Sequence, residues 1–159
     1  MRRLSILIIT MILLIGASCQ NGDSSRTMTQ PGRGALALEV APNPIVAQRV
    51  SGDKYDFPFT ISLREVGGVA VHVDRVSIEV RGPGGIRFYT ETLDRAEIAR
   101  KGYPTSIEAG GQIRYQLNPR KDVPSDLLFG SVYADLTVEA TDGNGEPARA
   151  QTRVTVERE

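Results

Sequence analysis

The chain reads as all-β: an antiparallel two-sheet sandwich of about seven strands with one short helix. Three observations carry this. Past position 35, apolar residues recur with period two in short runs. Clusters of Gly, Pro, Asn and Asp separate those runs. Only the segment 93–102 carries the spacing and end signals of a helix.

The elements follow in order. LALEV (36–40) places Leu36, Leu38 and Val40 on one face. FPFTISL (57–63) does the same with Phe57, Phe59, Ile61 and Leu63. VAVHV (69–73) presents Val69, Val71 and Val73, and Val76, Ile78 and Val80 continue on even numbers. A β-bulge at Asp74-Arg75 accounts for the change of phase, because one extra residue moves every later side chain to the other face. IRFYTE (86–91) is a further short strand. SIEAGGQIRYQL (106–117) offers Ile107, then Ile113, Tyr115 and Leu117 after a Gly-Gly interruption. VYADLTVEA (132–140) and ARAQTRVTV (148–156) close the pattern, joined by Asp142-Gly143-Asn144-Gly145 as a hairpin. In LDRAEIARKG (93–102), Asp94 caps the helix and Glu97 completes a capping box. Leu93 and Ile98 occupy staple positions, and Gly102 ends the helix. It suits a short crossover between the two sheets.

This arrangement resembles the immunoglobulin-like and fibronectin-III-like domains of bacterial surface proteins. FTISLREVGGVAVHVDRVSIEV (59–80) looks like the middle hairpin of such domains. The resemblance covers 35–157 and lies in the strand pattern. A Cys…Trp…Cys core is absent, since the chain has one cysteine and no tryptophan.

The first residues speak to location. Arg2 and Arg3 precede an apolar run from Leu4 to Ile15, and Gly16, Ala17 and Ser18 are small. That is the layout of a secretory signal over 1–18. The run is shorter than the ~20 residues a spanning helix needs. Gly16-Ala17-Ser18-Cys19 resembles the lipobox of bacterial lipoproteins, although that family usually has an aliphatic residue where this chain has Gly16. The resemblance implies cleavage before Cys19 and acylation of its thiol. Gln20 at the next position then implies passage to the periplasmic side of an outer membrane, in a cell that has one. The chemistry is consistent: a lone cysteine outside the cytoplasm has no internal disulfide partner, and acylation consumes the thiol. Ordinary secretion with cleavage after Ser18, and an uncleaved membrane anchor, are the alternatives. Residues 19–34 then form the lipidated N-terminus and a polar tether reaching about 20 Å. Residues 35–159 are one domain, long enough to bury a core without disulfides.

Composition narrows the function. Without 1–18 the chain holds 17 basic and 19 acidic residues, so no strong field steers it to nucleic acid or anionic lipid. Tryptophan is absent and aromatic residues are 6% of the chain, a poor supply for stacking platforms.

The candidate sites are few. Asp142-Gly-Asn-Gly-Glu146 spaces oxygen side chains as a calcium loop does, but without the distant bidentate Glu. A hairpin turn is the preferred reading. His72, between Val71 and Val73, belongs on the polar face of its strand as an exposed side chain without metal or catalytic partners. Glu65, before Gly67-Gly68, is either a buried anchor for that turn or a solvated strand end, and the second is preferred. No Gly-x-Ser-x-Gly elbow, phosphate loop or cysteine nucleophile is present.

The expectation is a non-catalytic envelope lipoprotein, anchored through Cys19, without cofactor or metal, that binds or supports another envelope protein through strand edges and loops. The alternative is a secreted or anchored ligand-binding module for glycan or peptide, of which a calcium-dependent module is one version. A hydrolase built on a concave carboxylate pair around Glu65, Glu108 or Asp135 is a third, more distant reading.

Overall fold

The computed structural model describes residues 32–123, 129 and 131–159. The expected signal, Cys19 and the expected tether as far as residue 31 lie outside the described residues, and residues 32–34, also assigned to that tether, are described. The described chain is all-β with one short helix: a three-stranded sheet faces an eight-stranded sheet curled into a half-barrel.

The small sheet runs β1 (Leu36–Ala41), β4 (Phe59–Glu65), β8 (Gln112–Leu117), antiparallel throughout. The large sheet runs in the order β6 (Arg87–Asp94), β5 (Val71–Arg81), β10 (Val132–Asp142), β11 (Pro147–Arg158), β2 (Ile45–Ser51), β3 (Lys54–Asp56), β9 (Arg120–Asp122). The two-residue β7 (Ser106–Ile107) pairs with the start of β5.

Alternation places the core. Ala134, Leu136, Val138 and Ala140 of β10 are buried, with half-buried residues between them. Opposite them stand Leu36, Ile61 and Leu63 of the small sheet, all without exposed surface. In β5 the buried set changes from Val71 and Val73 to Val76 and Ile78. The pairing explains the change: Arg75 lies opposite Glu139 and Val73 opposite Ala140, so Asp74 is the extra residue of a bulge. Asp74 is held there by Thr141, whose hydroxyl donates at 2.7 Å, and by Arg95.

Seven strand regions stand out in the sequence, and the structure divides them further. The region 106–117 splits at its glycines into β7, on the large sheet, and β8, on the small one. Three strands are additional. In β2 only Ile45 and Ala47 are buried, too short a stretch for a period to emerge. In β3 only Tyr55 is buried, and β9 (RKD) has no apolar residue at all. These three strands bend the sheet. The first half of β2 runs parallel to β11, and its second half pairs with β3.

The stretch 59–80 is not a hairpin. Its halves, β4 and β5, belong to different sheets, and the chain crosses between them over 66–70. Its two apolar faces therefore face each other across the core instead of lying side by side.

The helix α1 (Arg95–Arg100) forms as its ends dictate. Asp94 Oδ1 accepts from the Glu97 amide at 2.8 Å, and Glu97 Oε2 accepts from the Asp94 amide at 3.1 Å. Gly102, at φ +82°, closes it, with Gly102 N–H donating to Ala99 O and Tyr103 N–H to Ile98 O. Leu93 and Ile98 are both buried. The helix is not itself the expected crossover: it joins β6 to β7, both of which pair with β5 of the large sheet, and the chain passes to the small sheet only after β7, over 108–111. Replacing Asp94 by Ala should cost about 1 kcal/mol in urea unfolding, by loss of the cap. Among the described residues, no helix is long and apolar enough to cross a membrane.

Candidate functional site

Two poles of the sandwich differ in chemistry. At one, the chain enters β1 across two buried carboxylates. Glu65, 1% exposed, accepts from the amides of Ala35 (3.2 Å), Gly67 (2.5 Å), Gly68 (3.0 Å) and Gly110 (2.8 Å). Asp142, 3% exposed, accepts from Gly34 (2.8 Å), Asn144 (2.9 Å) and Glu146 (2.9 Å). Successive amides of Gly34 and Ala35 are thus gripped by two acids at the ends of β4 and β10. A Cβ at Gly67 would stand 1.9 Å from the Arg33 carbonyl oxygen, so only glycine lets the segments approach this closely. Arg33 and Glu146 add an exposed ion pair at 2.5 Å.

Burial alone would raise the Glu65 carboxyl, but amide donation from Gly110, Gly67, Ala35 and Gly68 outweighs it and holds it below the usual range. Asp142 is lowered mainly by the Gly34 and Glu146 amides. Glu65 is therefore the buried anchor, not the solvated strand end that the sequence favours. Burial is affordable because every charge meets N–H donors.

These donors also bear on calcium. The Asp142 oxygens face amide hydrogens, a setting built for an anion and opposed to a cation, so the loop's donor set does not fit the ion. Among the described residues no group of three or more His, Cys, Asp or Glu is placed to hold a metal. The unfolding temperature should be the same in millimolar calcium and in chelator. A calcium-dependent rise would overturn this account of the loop.

The remaining sequence candidates are scattered. His72 is exposed on β5, with Nδ1 2.9 Å from Ser106 Oγ. Asp135 lies on the outer face of β10, held by Arg153 at 2.7 and 3.1 Å and by Arg81 at 3.8 Å. Glu108 is exposed in the turn before Gly111. Glu65, Glu108 and Asp135 therefore form no concave pair. The Asp142–Glu146 loop is the expected hairpin between β10 and β11.

The other pole holds a concavity. The edges of the curled sheet, β6 and β9, approach without pairing, and side chains span the seam. Lys121 Nζ lies 3.9 Å from Glu91 Oε2 and 3.9 Å from the centroid of the Tyr89 ring. The Tyr89 hydroxyl donates to Glu91. Behind this bridge lies a cavity of about 520 Å³ between the sheets. Its walls are Ile45, Phe59, Ile78, Val80, Leu136 and Phe129, among others, and its lip carries Tyr89, Glu91, Lys121 and Asp122. A second hollow of about 390 Å³ adjoins it, sharing Ile78, Glu91, Pro119 and Lys121. That hollow adds Lys101, Tyr103, Gln116 and Arg120. Arg120 is bidentate on Asp56, at 2.6 and 2.8 Å.

None of these seam residues stands out in the sequence. Glu91 and Lys121 read as ordinary strand and loop charges, and β9 has no apolar period to reveal it.

No family model and no curated protein sequence matches the chain. Solved structures do match its shape. The putative ApaA protein from Bordetella pertussis aligns with a TM-score of 0.54 at 13% identity, over 80% of this chain and 98% of that one. The structural genomics target SoR45 aligns with a TM-score of 0.52 at 18% identity, over 76% of this chain and 86% of that one. At these identities the likeness is one of fold alone.

Proposed function

We propose that this chain is a bacterial envelope lipoprotein, held on a membrane by acylated Cys19, whose immunoglobulin-like sandwich acts by binding. The observation that carries the binding reading is the contrast between the poles. Glu65 and Asp142 are occupied by backbone amides and Asp135 by Arg153, whereas the large concavity is lined by apolar side chains. Acid–base chemistry needs a titratable group free to meet a substrate, and these three are committed to the fold. An apolar cavity with a few polar groups at its lip is the usual form of a binding site.

The anchoring rests on the sequence of residues 1–19 and on lipid chemistry. Each buried methylene adds ~0.8 kcal/mol, so several chains on one cysteine hold a protein firmly. The clamp on Gly34 and Ala35 suits a tethered domain, because it fixes the point at which the tether meets the sandwich. The intact mass of the mature protein from the membrane fraction tests the anchor. A species beginning at Cys19 with a diacylglyceryl mass is expected. A soluble species with an unmodified Cys19 thiol would sink the lipoprotein reading.

A further inference from the structure

We propose that the β6–β9 seam binds a single-chain anionic amphiphile, its alkyl chain in the apolar cavity and its head in the adjoining hollow. The inference deepens the binding reading given above and rests on it.

The tail follows from the cavity. At about 520 Å³ it lies within the range of small-molecule sites, roughly 300–1,000 Å³. It lies between facing sheets, with Phe59 of the small sheet on one side and Ile78 and Leu136 of the large sheet on the other. Its described lining is mainly aliphatic and aromatic, with Tyr89, Glu91, Lys121 and Asp122 as its polar side chains. A ligand group buried there with polar atoms would lose its hydrogen bonds to water without replacement. An alkyl chain loses nothing.

The head follows from the charges of the hollow. Lys101, Arg120 and Lys121 line it, against one acid, Glu91. Asp56 engages Arg120 from β3, and Asp122 lines the cavity and not the hollow. With Asp56 counted, cations still exceed anions there. A carboxylate head would accept from Lys101 and compete with Glu91 for Lys121, as charge-assisted hydrogen bonds favour. The cavity and hollow share Ile78, Glu91, Pro119 and Lys121, so they adjoin at the Lys121–Glu91 bridge, and a head that draws Lys121 away from Glu91 would open one to the other. The seam is open to such a ligand because β6 and β9 are joined by side chains and not by a ladder of main-chain hydrogen bonds.

The test is photo-crosslinking of the full chain in phosphatidylcholine vesicles with a diazirine analogue of palmitate. Label is expected on peptides that contain Ile78–Val80 and Ala134–Leu136. Unlabelled palmitate should compete at least tenfold better than the neutral monoacylglycerol of equal chain length. Each methylene removed from the competitor should weaken it about fourfold. Val80→Phe, which fills the slot, should cut labelling by tenfold or more. Lys101→Gln lies on the surface and leaves the core intact, so it reports even where the cavity variant fails to fold; it should weaken palmitate severalfold and the neutral competitor little. Label elsewhere, no label, equal competition by the neutral lipid, or indifference to both variants would overturn the proposal. Repeating the experiment with Cys19→Ser separates it from the anchoring reading. An unacylated Cys19 in the mass spectrum overturns the anchor alone, whereas loss of cavity label in both forms overturns the amphiphile site alone.

Discussion

Replacing Glu65 by Gln should destabilise the domain by about 3–5 kcal/mol, seen as a fall of roughly 10–20 °C in Tm. The carboxylate is 1% exposed and accepts from four backbone amides that belong to three parts of the chain: Ala35, Gly67 and Gly68, and Gly110. Hydrogen bonds to a charged group net about 1.5–3 kcal/mol each, and an orphaned buried donor has its own cost. Gln keeps the shape but loses the charge and turns an NH₂ towards N–H donors. A loss below about 1 kcal/mol would show that Glu65 is solvated after all.

The same acid governs the response to pH. Its carboxyl sits below the ordinary value in the folded state. In the unfolded chain it takes up a proton near pH 4.3, whereas the folded state resists until lower pH. The stabilisation is therefore complete above the unfolded pKa and is lost as pH falls through the folded one. Asp142, also lowered, acts with the same sign. Tm should stay level from pH 7 to about 5 and fall below that, and the Glu65→Gln variant should show a shallower acid limb. A wild-type Tm that rises on acidification would contradict the clamp.

Leu136→Ala should cost about 3–5 kcal/mol. Leu136 has no exposed surface and lies in β10, flanked by β5 and β11. It also lines the cavity, so the space left behind joins a void that already exists and cannot collapse onto one partner. That places the cost in the upper half of the usual range for a large-to-small core change. Phe88 also lines the cavity but is 48% exposed on β6, so Phe88→Ala loses less buried area and should cost clearly less than Leu136→Ala. Urea unfolding with an unchanged m-value measures both. Equal effects of the two variants would mean that the core does not run through β10 as described.

Much of the fold was legible because its signals are local. The period-two runs, the capping box of Asp94 and Glu97 and the Asp142–Gly145 turn each lie within a few residues of their cause. The Asp74 bulge is legible for the same reason: a phase change along one strand shows in that strand alone. The polar face that carries His72 follows from the alternation of Val71 and Val73.

Other features depend on what folds against what. Strands β2, β3 and β9 owe little to their own residues. Tyr55 of β3 is buried because the curled sheet closes over it, and β9 exists through its pairing with β3 and the Asp56–Arg120 ion pair. The crossing of 59–80 between sheets is equally invisible in a pattern that suits a hairpin as well. Glu65 is the clearest case. Alone, a glutamate at a strand end belongs in water, and only the arrival of Ala35 and Gly110, 30 and 45 residues away, makes burial the better state. The cavity belongs to the same class, since Ile78 and Leu136 look like ordinary core in sequence and become walls only where the β6 and β9 edges fail to pair. What the sequence alone determined, among the described residues, is the β character, the short helix and the turns, because short-range periodicity and capping encode them. What only the tertiary structure decided is which buried positions touch one another and which leave a space, because that depends on the curl of a sheet that ends in β3 and β9, strands with almost no apolar signal of their own.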